Sequence, residues 1–195
     1  MTCCKRLAPH FIHSFAVALL LPALVACGDP GEAEPAPPCE TECQDANALR
    51  AVRETTKLVY NLTLQGKPVG AQDATTPCPQ GGSAHVFGEA TSNAVQGATE
   101  LKLTYEFTDC HYLSRDSEPD ENYDVVVSGT LTQSGTLAVQ PTATTALVMN
   151  SDAMHIAGTV YDPPIDYDQQ CELHLGQSGN QLSGTICGRN AGLSL

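Results

Sequence analysis

Residues 101–107, Leu-Lys-Leu-Thr-Tyr-Glu-Phe, alternate apolar and polar with a period of two. Successive side chains of an extended strand point to opposite faces, so Leu101, Leu103, Tyr105 and Phe107 share one face and Lys102, Thr104, Glu106 and Thr108 the other. The pattern recurs in Tyr123, Val125, Val127 and Leu131, in Met154, Ile156 and Val160, in Leu173 and Leu175, and in Leu182 and Ile186. Gly, Asn, Asp and Pro clusters separate these runs. That predicts about seven or eight strands in a consecutive antiparallel meander, with one face buried and the other wet.

A sheet buried on one face needs a second layer. Residues 40–60 supply it, because Leu49, Val52, Thr56 and Val59 recur at helical spacing while Arg50, Arg53, Glu54 and Lys57 occupy other faces. The expectation is one amphipathic helix from about residue 42 to 60, ended by Asn61 and Gly66, with residues 61–65 (NLTLQ) as the first strand. The fold class is therefore mainly β with one N-terminal helix: a curved meander sheet packed on that helix, or alternatively a closed, lipocalin-like barrel.

Three strands carry a weak internal repeat. Val127-Ser128-Gly129-Thr130-Leu131, Ile156-Ala157-Gly158-Thr159-Val160 and Leu182-Ser183-Gly184-Thr185-Ile186 all read apolar, small, Gly, Thr, apolar. Strand parity puts each glycine on the apolar side, and strands with the motif are expected to alternate with strands lacking it. An inward glycine bends the sheet or makes room for something lying close against it. Two readings follow: a concave row that receives the helix, or a hollow along Gly129, Gly158 and Gly184 that admits an apolar ligand.

Ahead of the helix, residues 1–10 carry Lys5 and Arg6 and no acid, and residues 11–26 (FIHSFAVALLLPALVA) are mostly apolar but broken by Pro22. This reads as a secretory signal, since the run is shorter than the roughly 18 uninterrupted apolar residues of a membrane span. Leu24-Val25-Ala26 then leads directly into Cys27. The segment resembles the lipobox of bacterial lipoprotein signal peptides. The resemblance implies thioether lipidation of Cys27, cleavage before it, and acylation of the new amine by a chain such as palmitate. It also implies a lipid-anchored place in the cell envelope; Gly28 rather than Asp after the cysteine points to the outer membrane. Two or three acyl chains hold a protein stably on a membrane without a crossing segment. The domains expected are a signal peptide over 1–26, a lipidated Cys27 with a Pro-rich tether over 27–38, and one disulfide-bonded helix-plus-β domain over 39–195.

Cysteine counting supports that division. Of nine cysteines, Cys3 and Cys4 leave with the signal and Cys27 takes the lipid, leaving Cys39, Cys43, Cys78, Cys110, Cys171 and Cys187. An even set in an exported chain reads as disulfides. Strand parity places Cys110 and Cys187 on the wet face and Cys171 on the core face, which pairs Cys110 with Cys187 and leaves Cys171 for Cys78 or a cysteine near the helix; a bulge at Asp109 would reverse the first parity.

The processed chain loses Lys5 and Arg6 but no acid, so its formal charge falls from −13 to −15. Such a surface repels phosphate backbones and anionic head groups, which argues against nucleic acid and leaves the lipid as the membrane attachment. No G-x-S-x-G, H-E-x-x-H, P-loop or G-x-G-x-x-G motif is present, so neither an enzyme nor a cofactor is expected. Parity places His111 beside Leu101 and Leu103 and His155 opposite Met154 and Ile156, so the histidines do not converge. Cys171-x-x-His174 is half a zinc spacing, but residues three apart on a strand project to opposite faces. Asp116, Glu118 and Asp120 in one acidic loop are candidates for Ca²⁺, set against a solvated hairpin tip; Asp162, Asp166 and Asp168 form a second such loop. The leading functional reading is a non-enzymatic envelope lipoprotein acting as a structural or interaction module, with a filled core, no cavity and a protein as its partner. Its alternative is a carrier or sensor of an apolar ligand or lipid in the glycine-lined hollow.

Overall fold

In the computed structural model, the residues described are 37–93, 95, 97–140 and 143–195; the expected signal segment, residues 1–26, and Cys27 lie outside them. One helix, α1 (Thr41–Thr63), precedes eight strands: β1 (Gly70–Pro77), β2 (Ser83–Asn93), β3 (Ala98–Ser114), β4 (Tyr123–Ala138), β5 (Ala146–Val160), β6 (Ile165–Ser178), β7 (Gln181–Ile186) and β8 (Arg189–Ser194). They form a single antiparallel sheet in the order β1 to β8, each strand paired with its chain neighbours. The meander is as expected. The closed barrel is not: β1 and β8 do not pair, and the sheet is open.

The helix takes the place of that closure. It touches all eight strands, including both edges, so the curved sheet wraps around it and the edges that would otherwise meet each rest on α1. Leu49, Val52 and Val59 are fully buried on the helix, facing Leu103, Tyr105, Val125, Val127, Leu131, Ile156, Leu173 and Leu175 in one continuous core. Residues 61–65 are not a strand, because α1 continues to Thr63, whose hydroxyl donates to the Val59 carbonyl, and Leu64 is buried just beyond. Burial of Leu64 outweighs the stop signal of Asn61.

Polar contacts fix the helix along its length. Asp45, 1% exposed, accepts from Arg189 Nε at 2.7 Å, from its Nη2 at 2.9 Å, and from the Tyr167 hydroxyl at 2.9 Å, which ties the first turns of α1 to β6 and β8. Arg50 is buried and donates to the carbonyls of Asp120 and Ser194, with Asp120 and Glu121 carboxylates at 3.1 Å. The Tyr161 hydroxyl donates to the Pro37 carbonyl and holds the entry to the helix.

Bulges reset strand parity. The β3–β4 register slips between Phe107 and Cys110, where Asp109 adopts a left-handed backbone (φ 47°). Beyond that point Cys110 turns inward, 1% exposed, and His111 turns outward, reversing the parity read from the sequence. Cys187 likewise has φ 51° and sits in the β7–β8 turn. The disulfides are consequently Cys39–Cys43, Cys78–Cys110 and Cys171–Cys187, not the Cys110–Cys187 link that uninterrupted alternation implies. The first staples the entry to α1, the second ties the β1–β2 turn to β3, and the third ties β6 to the β7–β8 turn.

Candidate functional site

The sequence-derived glycines lie within the sheet, against backbone. A Cβ on Gly129 would stand 2.7 Å from the Ala153 carbonyl oxygen, one on Gly158 2.1 Å from that of Asp124, and one on Gly184 1.9 Å from that of His174. These positions accommodate the close, coiled approach of neighbouring strands. Their strands, β4, β5 and β7, do not alternate with motif-free strands, since β4 and β5 are direct neighbours, and the hairpin repeat dissolves.

The acidic loop between β3 and β4 is occupied with its own geometry. One Asp116 oxygen accepts from the backbone of Ser117 and Glu118 and from the Ser117 hydroxyl, and these bonds hold its carboxyl below the usual carboxylate range. Asp120 and Glu121 turn to Arg50. The Glu118 carbonyl accepts from the Asn122 side-chain amide. Among the described residues no three His, Cys, Asp or Glu side chains converge as a metal site. The four histidines of the domain lie on the outer face, each against an acid or amide: His85 with Asp73 and Glu106, His111 with Asp124, His155 with Asp168, and His174 with Asn150. The two carboxylates at His85 raise its pKa above the ordinary histidine value. Cys171 is consumed in a disulfide, so Cys171 and His174 do not form half a zinc site.

What the sequence did not locate is a pocket of about 460 Å³ where the final turns of α1 and the residues leading into β1 leave the sheet incompletely covered. Its interior is apolar: Leu64 from the helix end, Ala90 from β2, Leu101 from β3, Leu137 from β4, and Leu147 and Met149 from β5. Two buried glutamines add polarity. Gln133 accepts from the Tyr105 hydroxyl at 2.7 Å, and Gln177 accepts from Arg53 Nε at 3.1 Å while donating to the Gly179 carbonyl. Burial pushes the phenol of Tyr60, another wall residue, above its ordinary pKa. Val69 and Val139 stand at the rim, 51% and 60% exposed. Arg53, Lys57 and Lys67 also line it.

The volume lies within the roughly 300–1,000 Å³ usual for small-molecule sites, and the lining has their character: mostly apolar, with a few placed polar groups. Gly129, Gly158 and Gly184 are not among its walls. One sequence signal pointed here: in a strongly acidic chain, Arg53 and Lys57 fall on the flank of the helix that the core leaves free. Comparison with protein-family models, with curated proteins and with solved structures finds no match to this chain.

Proposed function

We propose that this chain is a bacterial envelope lipoprotein, anchored through lipid on Cys27, whose helix-plus-sheet domain binds an apolar ligand or lipid without catalysing a reaction. The single observation that carries the binding function is the pocket of about 460 Å³, apolar within and open at the C-terminal end of α1. The gap adjoins a core that packs continuously from Leu49 to Ile186, and it is the space such a ligand would enter. The anchor rests on the basic start, the apolar run and Leu24-Val25-Ala26-Cys27. Among the described residues no helix is long and apolar enough to cross a membrane.

The pocket lies at the C-terminal end of the 23-residue helix α1, about 35 Å along the helix from its first residue at 1.5 Å per residue. Native mass spectrometry of residues 35–195, produced by export so that the disulfides form, tests the binding. Copurifying lipid or uptake of an added single-chain lipid is expected. A bare mass that takes up nothing would leave the structural-module reading. Cys27→Ser is expected to release the protein from the membrane fraction or leave it uncleaved; a processed, membrane-bound variant would refute the anchor.

A further inference from the structure

We infer that the ligand is an anionic amphiphile: a single aliphatic chain in the pocket with a carboxylate or similar anionic head at its mouth. This rests on the proposed binding function and adds its chemical class. Nine lysines and arginines occur in the chain, and seven remain after Lys5 and Arg6 leave with the signal. Three of those seven, Arg53, Lys57 and Lys67, line this one pocket, and no acid does. Of the four others, three are paired with the chain's own acids: Arg50 with Asp120 and Glu121, Arg189 with Asp45, and Arg115 with Asp124; Lys102, on β3, does not line the pocket.

Glu54 beside the pocket pairs with both Arg53 and Lys57, at 3.5 Å for the lysine, and so offsets one positive charge. Two remain. Lys67 has no ion-pair partner among the described residues and lines the pocket with the exposed Val69. In a chain of formal charge −13 a local excess of cations bordering an apolar cavity is the arrangement that holds an anionic head while the tail is buried. The overall negative charge would repel a diffusing anion at long range, but over less than about 10 Å at physiological salt the neighbouring cations dominate.

The test compares three twelve-carbon ligands by isothermal titration of residues 35–195, each kept below its micellar or solubility limit. Residues 35–195 are one compact unit that contains the whole core and all three disulfides. Dodecanoate is expected to bind about tenfold or more tightly than dodecanol, and dodecylamine more weakly than either, because a charge-assisted contact exceeds a neutral one by about that factor. Lys57→Gln combined with Lys67→Gln, both exposed positions whose replacement leaves the core intact, is expected to lower dodecanoate affinity about tenfold and to leave dodecanol within twofold. Equal affinity for dodecanoate and dodecanol, or an equal loss of both in the variant, would overturn the head-group inference and leave the apolar pocket standing. No binding of any of the three would overturn the pocket function itself.

Discussion

Arg189 and Asp45 make an asymmetric pair, and the asymmetry can be measured. Asp45 is 1% exposed, whereas the Arg189 side chain is 42% exposed. Arg189→Ala removes both guanidinium bonds and strands a buried carboxylate with only the Tyr167 hydroxyl. Uncompensated buried charge typically costs about 3–5 kcal/mol. Asp45→Ala leaves a guanidinium that water can reach and one phenol without its acceptor, which costs about 1–2 kcal/mol by the net value of the bonds lost. The double variant removes the stranded charge, so it is expected to be no less stable than Arg189→Ala alone. Melting of residues 35–195 followed by circular dichroism reads the difference. At about 2–4 °C per kcal/mol for a domain of this size, Arg189→Ala is expected to melt about 6–20 °C lower and Asp45→Ala only a few degrees lower. Equal losses in the two single variants, or strictly additive losses in the double, would refute the account of α1 as pinned through a buried carboxylate.

Other perturbations follow from the same packing. The Cys78–Cys110 link spans 32 residues and the Cys39–Cys43 link only 4, so in the chain-entropy picture double serine replacement should cost about 3.7 and about 1.9 kcal/mol respectively, readable by urea unfolding. Gly184→Ala places a Cβ 1.9 Å from the His174 carbonyl oxygen and is expected to cost about 1–3 kcal/mol by overpacking, with the same melting assay as its check. Burial raises the phenol pKa of Tyr105, Tyr123 and Tyr167 above the ordinary value of 10. Their contribution to stability is thus complete below pH 10 and lost as pH climbs toward their folded values; tyrosinate absorbance should show them ionising only together with alkaline unfolding.

The meander and the helix were legible because period two and period 3.6 are written directly in the side chains that meet the core. Leu101 to Phe107 and Leu49 to Val59 behave as their spacing dictates. Parity failed where the backbone, not the side chains, decides. Asp109 has a side chain tolerated in the left-handed region, and nothing in Thr108-Asp109-Cys110 distinguishes a bulge from one more step of alternation. That residue alone sends Cys110 inward to Cys78 and His111 outward to Asp124. The glycine repeat was visible, but its consequence depends on where a neighbouring strand's carbonyls fall, which requires the register. The pocket was illegible for a further reason. Its walls come from the end of α1, from the residues leading into β1 and from six strands, β1 to β6, a meeting of distant segments that no single one of them encodes.

Two methionines in residues 35–195 provide an internal comparison for the central claim. Met149 lines the pocket, while Met154, five positions on and beyond a bulge, is buried away from it. Methyl-labelled methionine spectra recorded while dodecanoate is added report on both at once. The Met149 methyl signal is expected to shift saturably while that of Met154 stays in place. Two unmoved signals at saturating dodecanoate, or equal shifts in both, would contradict a ligand site at the end of α1.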